Sequence, residues 1–163
     1  MEFQKISMDD IGELAKLASS IWHEYWPCIL SSEQIDYMVD KFQSERAINN
    51  QIKYEGYLYY IIKNNDDVCG YFGISTYHND YLFLSKLYLK SEYRHLGIGK
   101  KSVEFIKQIA LDLGYEKIQL TVNKHNTNTI NAYLKYGFIT IDKVVTDIGN
   151  GFVMDDYIME YKI

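Results

Sequence analysis

The apolar, strand-like run Leu82 to Lys90 gives way to an amphipathic helical run ending at Gly114, and the two meet at Arg94-His95-Leu96-Gly97-Ile98-Gly99. That junction constrains the chain more than any other segment. Glycines at a strand-to-helix turn let the backbone pass close to a ligand, because no Cβ intervenes. The first amides of the helix have no intrahelical acceptor, and the helix dipole turns its positive end toward them. The chain therefore contains a strand-turn-helix unit with a phosphate-binding site at its mouth.

Around this junction the hydrophobic periodicity sets an element order. Glu2 to Ser7 reads as a short strand. Ser7-Met8-Asp9-Asp10 is a capping signal, and Ile11, Leu14, Ala18, Ile21 and Trp22 follow at helical spacing. Pro27 ends that helix. Ser31 to Gln34 forms a second capping box ahead of Ile35, Met38, Val39 and Phe42. Three strands come next, Tyr57–Lys63, Val68–Tyr77 and Leu82–Lys90, with turns at residues 64–67 and 78–80. They form an antiparallel meander. Beyond the glycine turn, Val103, Ile106, Ile109, Ala110 and Leu113 mark one helix face. Lys117–Asn123 is a strand, and its position after a strand-turn-helix unit makes a parallel crossover. A short helix capped by Asn126 runs to Tyr136. Two strands, Phe138–Thr146 and Phe152–Tyr161, close around Gly149-Asn150-Gly151. The fold class is α/β: a single mixed, mostly antiparallel sheet flanked by helices, in one domain over residues 1–163.

Composition removes several classes of function. A net charge of -5 argues against generic nucleic-acid binding, which needs a basic footprint. No apolar run is long enough to span a membrane, and the N-terminus carries no signal-peptide pattern. Cys28 and Cys69 form no CxxC and read as free thiols in a reducing compartment, so the expected location is cytoplasmic. His23, His78, His95 and His125 have no metal-ligand spacing, and no metal is expected. The 16 tyrosines pack a sheet-rich core or line a pocket.

The glycine turn is not a P-loop, because Gly97-Ile98-Gly99-Lys100-Lys101-Ser102 lacks the GxxxxGK[ST] spacing. It is not the dinucleotide fingerprint either. Antiparallel strands precede it, and the strand Lys117–Val122 carries no acid at its end. A packing turn without a ligand stays open on this motif alone.

Further segments give the turn a context. Leu87-Tyr88-Leu89 precedes Ser91-Glu92-Tyr93-Arg94-His95-Leu96-Gly97-Ile98-Gly99. Val122-Asn123-Lys124-His125-Asn126 and Ala132-Tyr133-Leu134-Lys135-Tyr136-Gly137-Phe138 follow downstream. In this order and spacing they resemble the GNAT superfamily of acyl-CoA-dependent N-acetyltransferases. The element order fits that fold over essentially the whole chain. The C-terminal run Asn150 to Met159 further resembles the ending of PaiA-type polyamine acetyltransferases.

The resemblance implies that acetyl-CoA lies between two splayed parallel central strands, Leu82–Lys90 and Lys117–Asn123. Backbone groups of Leu87, Tyr88 and Leu89 would pair with the pantetheine arm. Amides from His95 through Leu96, Gly97, Ile98 and Gly99 to Lys100 would hold the pyrophosphate. Arg94 would add charge or brace the loop. Asn126 would fix the cofactor arm or cap its helix. Lys135 would approach the phosphates or sit on a solvated face. Homodimers are common in the resembling family.

The implied reaction is direct attack of an acceptor amine on the thioester, through a tetrahedral intermediate, with a small polyamine-like molecule as acceptor. A protein or peptide amine is the alternative acceptor, and a non-catalytic acyl-CoA-binding regulatory module the alternative function. An alkyl ammonium has a pKa near ~10.4, so roughly one molecule in a thousand is free base at neutral pH and a base or water chain must help. A backbone amide near Leu87 is the expected oxyanion donor. Tyr133 matches the family's general acid for the departing thiolate; the other reading is a core aromatic beside Ile130 and Leu134. Many relatives place a basic carboxylate on the third meander strand. Here Phe83, Ser85 and Lys86 stand there, and no acid occurs between Leu82 and Leu89. His23, Glu24, Asp155 and Asp156 are the substitutes on the acceptor side. Trp22 to Trp26, including Tyr25, is the candidate acceptor lid.

Overall fold

A computed structural model describes residues 1–163. Its elements are β1 (Glu2–Lys5), α1 (Ile11–Tyr25), α2 (Ser32–Gln43), α3 (Glu45–Tyr54), β2 (Tyr57–Asn64), β3 (Asp67–Ser75), β4 (Leu82–Leu89), α4 (Ile98–Asp112), β5 (Lys117–Asn123), α5 (Thr127–Lys135), β6 (Ile139–Gly149) and β7 (Phe152–Lys162). Seven strands form one sheet in the order β1-β2-β3-β4-β5-β7-β6. Every neighbouring pair is antiparallel except β4 and β5. The α/β class and the mixed sheet are thus as the sequence predicts. The difference is α3, a third helix ahead of the meander. Ser44 caps it by accepting the Ala47 amide at 3.2 Å.

Local chemistry sets the boundaries. The Asp10 carboxylate accepts the Ser7 amide at 2.7 Å and closes a 3-10 turn that leads into α1. Ser31 accepts the Gln34 amide at 3.2 Å. The Gln34 side chain does not complete that capping box. It reaches across to the Val153 carbonyl at 3.1 Å and ties α2 to β7. At the β2–β3 hairpin, Asn65 and Asp66 both adopt positive φ, as a two-residue turn between twisted strands requires. Asn150 and Gly151 do the same between β6 and β7.

The sheet separates two apolar layers. Phe72, Leu84, Val103, Ile106, Ile118 and Met159 belong to the core under α4 and α5. On the other face, Leu14, Ile21, Ile48, Tyr59 and Tyr71 pack α1 and α3 against β2 and β3. Trp22, Trp26, Met38 and Ile148 continue that layer under α2. No helix is long and apolar enough to cross a membrane.

Two irregularities open the sheet. The parallel pairing of β4 with β5 stops after Leu82↔Ile118 and Phe83↔Gln119. In the β3–β4 ladder, Gly73 pairs with Lys86 and Ile74 with Leu84, so Ser85 is an unpaired bulge residue. The bulge resets the alternation. Leu82 and Leu84 lie in the α4 core, and so do Leu87 and Leu89. Lys86 and Tyr88 turn toward α1, α2 and α3 instead.

Candidate active site

A cavity of about 710 Å³ lies where β4 and β5 part. One end is lined by Arg94, His95, Gly97 and Gly99, the other by Phe42, Gln43, Gln51 and Lys86. Along its wall, Leu87, Tyr88 and Leu89 have β3 on one side and no strand partner toward β5. That free backbone edge can pair with an extended, amide-containing ligand.

The glycine turn forms the first end. His95 and Gly97 adopt φ of 63° and 79°, and Gly97 is the N-cap of α4. A Cβ at Gly97 would meet no atom within 4 Å, so the glycine serves the left-handed backbone rather than packing. The first intrahelical bond runs from the Lys101 amide to the Gly97 carbonyl at 3.1 Å. The amides of Ile98, Gly99 and Lys100 precede it and have no helical acceptor. Leu96 and Lys100 project their side chains into solvent and Ile98 packs in the core, so only their amides face this role.

Arg94 is held from three sides. Its Nε donates to the Leu89 carbonyl at 3.0 Å, its Nη2 lies 3.7 Å from Glu24, and its guanidinium stacks 4.8 Å over the Tyr25 ring. The Nη2 atom is buried and lacks a hydrogen bond. The side chain therefore braces the loop and still holds an unspent donor. Glu24 is exposed and is occupied by this pair.

Tyr25 crosses the cavity. Its hydroxyl donates to Asn126 Oδ1 at 2.9 Å and lies 2.8 Å from the Thr129 hydroxyl, which fixes the end of α1 to the start of α5. Asn126 is buried and begins α5, but its side chain makes no capping bond. It takes the tyrosine instead. Trp26 is buried, stacked edge-on against Tyr25 at 4.9 Å, and its indole N–H has no hydrogen-bond partner. His23 does not line the cavity. It sits on the outer face of α1, bonded to Asp36 at 2.7 Å, and that bond raises its pKa.

Tyr133 lines the cavity from α5 with its ring packed on Phe138 at 5.3 Å. Burial, with the Tyr25 and Tyr136 phenols nearby, raises its pKa well above the ordinary phenol range. It therefore keeps its proton at neutral pH. Lys135, two residues on, is exposed and outside the cavity lining.

Asp156 supplies a carboxylate from β7, where it pairs with Asn123 of β5. It is 5% exposed and is the one carboxylate on the cavity wall. Burial first, and the Asp155 charge second, push its pKa up to about 6. Asp155 leaves the strand on the opposite side and forms an ion pair with Lys124.

Lys86 is the group that reading the sequence for acids passed over. Its Nζ donates to the Phe42 carbonyl at 2.6 Å, to Gln51 Oε1 at 3.1 Å and to the Tyr59 hydroxyl. Phe42 lies in the last turn of α2, where carbonyls lack helical donors and a cation is favoured. No carboxylate pairs with the ammonium, and burial pushes its pKa down to about 7. The unfolded lysine titrates near ~10.4, so the fold binds fewer protons than the unfolded chain between those values. Stability contributed by this group is present above ~10.4 and lost as pH falls through about 7. Gln51 Nε2 also donates to the Phe42 carbonyl at 3.2 Å, and the Tyr59 hydroxyl donates to Gln51 Oε1 at 2.5 Å, so removing the amine strands no acceptor. Lys86→Met is expected to raise the melting temperature at pH 6 by about 3–8 °C. The gain should shrink toward pH 10 in the same scan; an equal or lower melting temperature at pH 6 would contradict this reading.

Comparison with known proteins agrees with this geometry. Residues 18–138 match the model of the acetyltransferase (GNAT) family. A spermidine N(1)-acetyltransferase from Thermoplasma acidophilum is 26% identical over 159 residues, covering 95% of this chain and 96% of the relative. A thialysine N-epsilon-acetyltransferase from Bos taurus is 34% identical over 67 residues, 41% of this chain and 39% of the relative. The crystal structure of a PaiA N-acetyltransferase from Thermoplasma acidophilum in complex with coenzyme A superposes with a TM-score of 0.80 at 26% identity, covering 99% of this chain and 98% of that one. With splayed β4 and β5, a glycine turn at the head of α4 and a family match over most of its length, the chain belongs to the GNAT acetyltransferase family.

Proposed function

We propose that this chain transfers the acetyl group of acetyl-CoA to the primary amine of a small molecule, polyamine-like in presenting that amine at the end of a flexible arm. The observation that carries the reading is one cavity wall holding a buried carboxylate, Asp156, and a buried phenol, Tyr133, beside an open helix N-terminus. The spermidine acetyltransferase relative supports a polyamine arm, and the thialysine acetyltransferase relative an amino-acid one.

The residues fit the donor. The free edge of Leu87 to Leu89 takes the pantetheine amides. The amides from His95 to Lys100 take the pyrophosphate, with the unspent Arg94 Nη2 donor beside them. Asn126 and Tyr25 fix the wall of the cleft. When bound, acetyl-CoA supplies a thioester carbonyl for attack. Asp156 receives the acceptor as an ammonium and takes its proton, which a carboxylate with a pKa of about 6 does far better than one at the ordinary value. Tyr133 gives its proton to the departing sulfur. The Leu87 amide serves as oxyanion donor. Asp156 thereby fills the place left by the missing β4 acid.

Incubating the protein with acetyl-CoA and a panel of polyamines, amino acids and peptides tests the reading. Thiol release coupled to the mass gain of one acetyl group on a small amine is expected. Acetylation of peptides alone would replace the acceptor class. Binding of acetyl-CoA with no thiol release on any amine would overturn the catalytic reading.

A further inference from the structure

The cavity has an unusual charge inventory. Its wall holds one carboxylate, Asp156, and one lysine, Lys86, the latter at the α2–α3 end. The remaining basic side chains on the wall, Arg94 and His95, belong to the glycine-turn end. Lys86 is 6% exposed, and its nitrogen also lies 5.0 Å and 5.6 Å from the ring centroids of Tyr59 and Tyr57. All its hydrogen-bond acceptors are neutral. A buried charge without a counter-ion works against folding. The surrounding acceptors keep other donors, so packing does not require it. The Ser85 bulge turns it onto the acceptor face.

We propose that Lys86 is a specificity-determining residue that disfavours acceptors carrying a second ammonium into the α2–α3 end of the cavity and favours those whose far end is uncharged or anionic. The inference rests on the acetyl-transfer reading above and narrows its acceptor. One ammonium finds one carboxylate at Asp156. A second, further along the arm, meets the buried Lys86 ammonium and must either be repelled by it or displace its proton. A carboxylate there is attracted. A polyamine is accepted through one end only, and less well than a monocationic amine of the same length.

Three acceptors of matched length test this: pentylamine, cadaverine and delta-aminovalerate, compared by kcat/KM at pH 6.5. For the wild type, delta-aminovalerate and pentylamine should both exceed cadaverine. In Lys86→Met the ratio of cadaverine to pentylamine should rise about two- to fourfold, since a lysine titrating at about 7 yields its proton rather than repelling without limit at pH 6.5. Lys86→Arg, which keeps the charge, should retain the wild-type order. A wild-type preference for cadaverine, or a ratio that Lys86→Met leaves unmoved in a folded protein, overturns the proposal. So does acetylation of other amines with none of these three accepted. Failure of the parent reading looks different: no amine of any kind is acetylated, by wild type or variant.

Discussion

Tyr133→Phe is expected to lower kcat with a good amine acceptor by about 10²- to 10³-fold, with acetyl-CoA affinity and melting temperature nearly unchanged. The ring is what α5 packs. It rests on Phe138 and lies 6.2 Å from Tyr136, and phenylalanine keeps those contacts. The residue lines the cleft, and the hydroxyl is the only group the substitution removes. Its raised pKa does not disqualify it as an acid. The burial that holds the phenol protonated also raises the proton affinity of a thiolate leaving into the same space, so donor and acceptor stay matched. Thiol release measures kcat, and calorimetric titration with acetyl-CoA measures binding. A variant with wild-type kcat would remove Tyr133 from the chemistry and leave it a core aromatic.

The glycine turn was legible because its requirement is local. A left-handed residue at the start of a helix needs glycine whatever surrounds it, and Gly97 fulfils that. The hairpins were legible for the same reason, through Asn65-Asp66 and Asn150-Gly151. Helix α3 was not. Its sequence offers few apolar residues, and one of its buried positions is Gln51, which no hydrophobic pattern marks.

The polar side of the cavity was hidden by register. Strict alternation along β4 would put Lys86 on the face of Leu82 and Leu84, inside an apolar core. Only the Ser85 bulge moves it across, and a bulge in this strand has no glycine or proline to announce it. Asp155 and Asp156 are indistinguishable as letters. The pairing of β7 with β5 sends one to Lys124 and buries the other in the cavity. Asn126 shows a third kind of limit. The sequence offered a cap or a cofactor contact; the side chain makes no capping bond, and its oxygen accepts from Tyr25, 101 residues away.

Asp156→Asn is expected to reduce kcat/KM for amines by about 10²-fold or more and, against the usual direction, to stabilise the protein at neutral pH. The two effects share one cause. The folded carboxyl has a pKa of about 6, raised above an unfolded value near ~3.9. The folded state therefore binds more protons between those values. The stability linked to this group is fully present below ~3.9 and lost as pH rises through about 6. Asparagine cannot ionise, so its advantage in melting temperature should be absent below about pH 4, grow between about pH 4 and 6, and stay level above that. Activity should run the other way. Wild-type kcat/KM should climb with pH through about 6 as the carboxylate forms, then level off. The variant should lack that limb and rise only as free amine becomes available at high pH. A carboxylate kept for structure would lose stability on replacement. One that loses turnover while its absence stabilises the fold is held in the cavity for its charge, and an unchanged pH profile in Asp156→Asn would deny it that role.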